Sequence, residues 1–200
     1  MKKSPKHSKT ISDNLDVDVK LQKTRLRKTL LNIRNNTSDK ENKSELIVHK
    51  ILQLQEIVSA KTILLYYPSK SEVDISGLFQ IFHKQGKSIF LPKVADFQIA
   101  KFTPKTSLAK GYKGIPEPEV QGECPEHIDI CILPGLGFDH FGNRIGHGGG
   151  WYDRIFNKIK FAKHIGVCFD SQLIAKIPTE PHDKEVDFVI TEKKIINTRY

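Results

Sequence analysis

From Leu133 to Arg154 the chain reads LPGLGFDHFGNRIGHGGGWYDR, and seven of its 13 glycines lie between positions 135 and 150. Glycine loses more backbone freedom on folding than any other residue, so a cluster of this density implies a compensating use. The use open to it is positive φ and close approach of backbone amides to a ligand. Successive amides ahead of a helix form a nest for anions. Arg144 and Arg154 add fixed positive charge, and Asp153 offers a hard oxygen of the kind that holds Mg²⁺ beside phosphates. The chemistry indicated is the handling of phosphoryl groups. Two common phosphate loops do not fit. A Walker A loop needs Gly-Lys followed by Ser or Thr, whereas Gly150 is followed by Trp151. A dinucleotide G-x-G-x-x-G starting at Gly146 would need its third glycine at that same tryptophan.

Other chemistries find little support. Cys124, Cys131 and Cys168 leave an odd thiol and no C-x-x-C spacing, so free thiols are expected. His164 and Cys168 are four apart, but no second pair completes a zinc site. The net charge of +9 is local: residues 1–50 hold 13 Lys and Arg against 6 Asp and Glu, a balance of +7. A basic N-terminal quarter suits nucleic acid, a solvated arm, or a few cations aimed at a phosphorylated small molecule. No nucleic-acid motif follows it, so nucleic acid is not expected as a partner. No stretch approaches the length of a membrane helix, and the basic N-terminus has no apolar core behind it. A soluble, cytoplasmic protein is expected.

Elements must position the glycine loop. Residues 1–18 are polar and read as a disordered tail, leaving 19–200 as one α/β domain. Leu26, Leu30 and Ile33 fall on one helical face. A second helix opens at Ser38-Asp39-Lys40-Glu41 in a capping-box arrangement and continues through Ile47, Ile51, Leu54 and Val58. Thr62–Tyr67, Ser88–Leu91, Ile99–Phe102, Ile128–Leu133, Ile165–Phe169 and Val186–Thr191 read as strands. Ile75–Phe82 and Trp151–Ile159 read as helices, and residues 103–127 as loop. This alternation predicts an α/β three-layer sandwich, with a largely parallel or mixed central sheet and helices on both faces. In such sheets ligands sit at the carboxyl ends of strands, where the glycine loop lies.

The segment Pro134–Asp139 with Gly142–Asp153 strongly resembles the signature of the 5-formyltetrahydrofolate cyclo-ligase family, also called methenyltetrahydrofolate synthetases. Four further motifs resemble the family's in the same order: Lys23-Thr24-Arg25-Leu26-Arg27, Gly86–Lys93, Gly114–Pro118, and the tail from Ile177-Pro178 through His182–Asp187 to Thr191. The likeness spans about residues 20–192. It implies an ATP- and Mg²⁺-dependent enzyme that converts 5-formyltetrahydrofolate into 5,10-methenyltetrahydrofolate, ADP and phosphate. No protein nucleophile is required, so the lack of a Ser-His-Asp triad is consistent.

Carried over by position, the resemblance gives Lys23 and Arg27 to the ATP phosphates. The run Arg144, Ile145, Gly146, His147, Gly148, Gly149, Gly150, Trp151 and Tyr152 wraps the nucleotide, and His147–Trp151 also touch the folate. Arg144 and Asp153 are the catalytic candidates, Asp153 and Asp183 the Mg²⁺ ligands, and Tyr67 and Glu72 the folate contacts. Lys87 is a further candidate for charge near the nucleotide. Some family members carry Lys at the position of Gly149, and other residues are commoner at His147 and Trp151. The implied partners are small molecules, and a monomer is expected. Alternatives are a phosphotransferase for another substrate on a related scaffold, and a non-catalytic relative that binds nucleic acid through its basic segment.

Overall fold

The apolar run ending at Leu133 becomes the middle of the sheet because its neighbours on both sides are equally apolar. The computed structural model describes residues 8–69 and 71–199, with side chains from Asp18 onward. In chain order the first elements are α1 (Ser8–Asn35), α2 (Lys40–Gln53), α3 (Gln55–Ser59), β1 (Thr62–Leu64), α4 (Gly77–Lys84), β2 (Ser88–Lys93) and β3 (Gln98–Phe102). A hairpin of β4 (Leu108–Lys110) and β5 (Pro116–Pro118) precedes β6 (His127–Pro134), β7 (Gly137–Asp139), β8 (Arg144–Ile145) and α5 (Trp151–Lys158). The chain closes with β9 (Lys160–Val167), β10 (Leu173–Ile174), β11 (Phe188–Ile190) and β12 (Ile195–Asn197).

Seven strands form the main sheet in the order β12-β11-β9-β6-β1-β2-β3. The five inner strands are parallel and the two edges antiparallel. In the central register Ile63 faces Ile89 on one side and Ile130 on the other. Alternate side chains point to opposite faces. Ile63, Ile89, Leu91, Ile130, Ile132 and Ile165 pack under Ile47, Ile51, Ile57, Leu78 and Phe82 of α2, α3 and α4. Leu64, Phe90, Cys131, Leu133 and Val189 pack against Trp151 and Ile155 of α5. Both faces are covered, giving the three-layer α/β architecture. Leu30 of α1 joins Leu136, Ile145 and Ile177 in a separate small core beside the sheet β10-β7-β8.

Several elements depart from expectation. Helix α1 already includes Ser8–Asp18, part of the stretch read as a disordered tail; residues 1–7 lie outside the described residues. No Pro or Gly interrupts the sequence from Lys6 to Asn35, so a helix fixed at its apolar end can propagate toward the N-terminus. The capping box at Ser38–Glu41 does not form: Asp39 is left-handed and makes no side-chain cap. Its carboxylate accepts from Asn42 Nδ2 and the Ser38 carbonyl accepts from Lys43 Nζ. The β4–β5 hairpin, bounded by two prolines that each lack an N–H, carries no alternating apolar signal and reads as loop in sequence. Lys87 does not face the nucleotide side. Its ammonium donates to the carbonyls of Ile57, Val58 and Ala60, at the end of α3, where free carbonyls and the helix dipole attract a cation.

Candidate active site

Strands β1 and β6 are neighbours, yet the chain leaves β1 through α4 toward β2 and leaves β6 through α5 toward β9. The connections diverge and leave a crevice at the carboxyl ends of the two strands, the usual ligand position in open α/β sheets. A cleft of about 380 Å³ lies there. Fifteen of the site candidates line it, namely Lys23, Arg27, Tyr67, Glu72, every residue from Arg144 to Asp153, and Asp183; Lys87 does not.

The segment leaving β1 forms one wall. The buried Tyr66 hydroxyl donates to the Val73 carbonyl at 2.7 Å, and burial pushes that hydroxyl's pKa well up. Inside this loop the Glu72 amide donates to the Ser69 carbonyl, and the Ser69 amide donates back to Glu72 Oε2, both at 3.0 Å. Glu72 is therefore held in a closed turn at the cleft edge. Tyr67 packs its ring 5.9 Å from Phe79. Pro92, Val94, Tyr112, Ile115 and Pro116 extend this wall with apolar and aromatic surface. Glu117 ties the hairpin down by accepting from the amides of Tyr112 and Val94.

The glycine loop forms the other wall. Asp139, fully buried, organises its base: Oδ1 accepts from the amides of Phe141 and Asn143, and Oδ2 from Asn143 Nδ2 and the Ile177 amide. Gln172 donates to the carbonyls of Gly135 and Leu136 and so fixes the exit of β6. A Cβ at Gly146 would come within 2.6 Å of Arg144 Nη1, so the glycine makes room for that guanidinium. Gly148 has φ +87°, which only glycine adopts without strain. Arg144 lies 5.1 Å over the Tyr152 ring and 3.9 Å from Asp153. Arg154 is not in the cleft lining. It stacks 4.4 Å over Phe97, and its Nη2 donates to the Gly149 carbonyl at 3.4 Å.

Helix α1 and the tail segment close the cleft. Lys23, Arg27, Leu30 and Arg34 share one helical face at i, i+4, i+7 and i+11. Arg27 Nε donates to the Gly146 carbonyl at 3.1 Å. Lys23, 5% exposed, reaches Asp183 Oδ2 at 2.5 Å and Glu180 Oε2 at 2.8 Å. Asp183 Oδ2 also accepts from the Glu180 amide, forming a tight turn. Glu180, His182 and Asp183 bring their ligand atoms within 4.8 Å of one another; Asp153 stands outside that group. Of the described cations of α1, Lys23, Arg27 and Arg34 are thus turned inward, while Lys20, Arg25 and Lys28 remain exposed.

The family model of the 5-formyltetrahydrofolate cyclo-ligases matches residues 19–192. The chain belongs to this family. The Haemophilus influenzae 5-formyltetrahydrofolate cyclo-ligase is 32% identical over 147 residues, covering 68% of this chain and 79% of that protein. The Aquifex aeolicus 5,10-methenyltetrahydrofolate synthetase structure superposes with a TM-score of 0.78 at 35% identity, over 89% of this chain and 93% of that one. The Mycoplasma pneumoniae synthetase structure gives 0.67 at 28% identity, covering 85% and 98%. The protein is accordingly an enzyme of a ligase family. No helix among the described residues is long and apolar enough to cross a membrane. Among the described residues the three cysteines are free, as expected.

Sequence reading of this cyclo-ligase family member missed several residues at the cleft. Glu180, His182 and Lys184 fall in the closing segment that carried the family likeness but received no role. Arg34, 3% exposed, lies behind the cleft and touches two of its lining residues. The helical repeat from Lys23 through Arg27 points to it, two turns beyond Arg27.

Proposed function

We propose that the protein uses Mg-ATP to convert 5-formyltetrahydrofolate into 5,10-methenyltetrahydrofolate, with release of ADP and phosphate. The observation that carries this reading is the convergence of fifteen candidates on one cleft with two unlike walls. The wall from β1, β2 and the hairpin is aromatic and apolar around the Glu72 and Glu117 carboxylates, suited to a flat folate ring with forked N–H donors. The wall from α1 and the glycine loop carries Lys23, Arg27, Arg144 and backbone amides ahead of α5, suited to phosphates.

In this reading the formyl oxygen attacks the γ-phosphorus and ADP leaves, giving an imidate phosphate. The nitrogen at position 10 of the folate then attacks the formyl carbon, the ring closes, and phosphate departs. Lys23, Arg27 and Arg144 neutralise charge on the transferring phosphoryl group. Tyr67 and Glu72 hold the pterin while the glycine loop holds the nucleotide. The reacting atoms of one substrate therefore meet the other in fixed register. Asp183, with Glu180 and His182 beside it, offers a donor cluster that would hold Mg²⁺, and Asp153 lines the same cleft outside that cluster. When bound, Mg²⁺ supplies charge neutralisation on the phosphate oxygens.

The test mixes purified protein with 5-formyltetrahydrofolate and ATP and follows the near-ultraviolet absorbance of the methenyl product. Growth that requires both ATP and Mg²⁺ is expected. Asp153→Asn keeps the shape and removes the charge, so turnover should fall by about 10²-fold or more with thermal stability retained. Growth without ATP, or full Mg²⁺-dependent turnover in that variant, would contradict the assignment.

A further inference from the structure

Arg34 is a cation buried between the two walls of the cleft. Its Nη1 donates to Glu72 Oε1 at 3.3 Å, and its Nη2 meets His147 Nε2 at 3.3 Å. Glu72 belongs to the segment leaving β1, and His147 to the glycine loop. One guanidinium thus spans elements that are 75 positions apart in the chain.

As a source of stability the arrangement is poor. Both contacts are long for charge-assisted hydrogen bonds. Arg34 Nε is buried with no hydrogen-bond partner among the described residues. Burying an ion pair recovers its desolvation only when the geometry is good and every donor is satisfied. Burial in fact pulls the Arg34 pKa below its ordinary value despite the Glu72 carboxylate. A buried cation with an orphaned donor calls for an explanation other than packing.

The contact with His147 also fixes chemistry. A guanidinium has only donors, so His147 Nε2 must accept. The ring is then neutral and carries its proton on Nδ1. The charged groups facing it are Arg34 from α1, Glu72 from the β1 exit, Lys113 from the hairpin tip and Arg144 from β8. Burial, followed by the Arg34 charge, lowers the His147 pKa against the pull of Glu72.

We propose that Arg34 is a positioning residue of the folate side of the cleft: it holds the Glu72 carboxylate and the His147 ring in fixed relation and sets His147 as the Nδ1–H tautomer. Glu72 then presents its remaining lone pairs to the folate, and His147 presents an N–H donor, without either side chain having to be ordered on binding. This rests on the proposed reading of Glu72 as a folate contact.

The test has two readouts. The first is the imidazole ¹⁵N shifts of His147 in the ligand-free protein. The wild-type ring should be the Nδ1–H tautomer, and Arg34→Met, which removes both the donor and the charge, should shift it toward Nε2–H and raise its pKa. An Nε2–H ring in the wild type, or an unchanged ring in the variant, overturns the proposal. The second readout is steady-state kinetics. Arg34→Lys should raise KM for 5-formyltetrahydrofolate about tenfold with KM for ATP within about twofold. Glu72→Gln serves as companion. If Glu72→Gln raises the folate KM and Arg34→Lys does not, the folate reading of Glu72 stands and the role of Arg34 fails. If Glu72→Gln leaves the folate KM unchanged, the reading beneath the proposal fails, and the proposal with it. A lower melting temperature in Arg34→Lys with both KM values unchanged makes Arg34 structural only and overturns it as well.

Discussion

Replacing Lys23 by Met should expose how α1 and the tail segment hold each other. The ammonium is 5% exposed and contacts Asp183 at 2.5 Å and Glu180 at 2.8 Å. Burial disfavours its charge, but the hydrogen bonds to Asp183 and Glu180 outweigh burial and hold its pKa above the ordinary lysine value. Removing one partner of a fully buried ion pair costs about 3–5 kcal/mol. Here the carboxylate side chains are 13% and 24% exposed, so water relieves part of the loss. A cost of roughly 2 kcal/mol follows, which for a chain of this size lowers Tm by roughly 4–8 °C. Activity should fall further. Loss of one charge aimed at the phosphates costs about 10²-fold in kcat/KM for ATP. The two carboxylates left without their cation should also bind Mg²⁺ more tightly. Adding Mg²⁺ without nucleotide should therefore restore part of the lost Tm in Lys23→Met and leave the wild type nearly unchanged. Differential scanning fluorimetry and the methenyl absorbance assay read these effects. An unchanged Tm together with a kcat/KM for ATP within about threefold of wild type would refute the reasoning.

Two further perturbations separate loop geometry from fold stability. Gly148→Ala places a Cβ where φ is +87°, a cost of about 1–2 kcal/mol, and sets that Cβ 3.4 Å from the Arg27 guanidinium carbon. KM for ATP should rise several-fold while circular dichroism stays native, and an unchanged KM would show that the loop conformation is not needed for nucleotide binding. Asp187 is not among the residues lining the cleft, and its pKa is held well below the usual carboxylate range: burial raises it, but hydrogen bonds from His164 and Arg199 outweigh burial. A depressed folded pKa stabilises above the unfolded value of 3.8, and the contribution is lost as pH falls through the folded value. Asp187→Asn should therefore cost about 2 kcal/mol near neutral pH and flatten the loss of Tm below about pH 4. An acid limb identical to that of the wild type would rule this out.

The parts of the site that were legible in sequence are those whose signal is local. Seven glycines with Arg144 and Asp153 mark a loop whatever the rest of the chain does. The strands around Ile63, Ile89 and Ile130 announce themselves by continuous apolar runs because they are buried on both faces. Lys23 and Arg27 differ. Two cations four apart on a helix are ordinary, and only the family pattern gave them a role. Arg34, Gln172 and Glu180 had no local signal, since each acts through a distant partner: Arg34 meets His147 113 positions away, Gln172 reaches Gly135 across 37, and Glu180 meets Lys23 across 157. The capping box at Ser38–Glu41 shows the reverse case, a valid local pattern in which the Asp39 carboxylate accepts from Asn42 and the Ser38 carbonyl from Lys43 instead.

The distance of those partners follows from the topology. The crevice between β1 and β6 exists because the chain departs from them in opposite directions, so neither departing connection can cover it. The segments left to close it are the helix before the first strand and the loop before β11. Both come from the ends of the fold, which is why a lysine at position 23 pairs with carboxylates at 180 and 183. This closure combines charge with apolar contact: among the described side chains of α1, Leu30, Leu26, Leu31 and Ile33 join the small core with Leu136, Ile145 and Ile177. In the proposed reading, a cover held by ion pairs can exchange its partners when phosphates enter, because Lys23 would lose one set of negative oxygens and gain another. An apolar cover could not make that exchange, which is a reason for Lys23 and Arg27 to face the cleft while Lys20, Arg25 and Lys28 stay exposed.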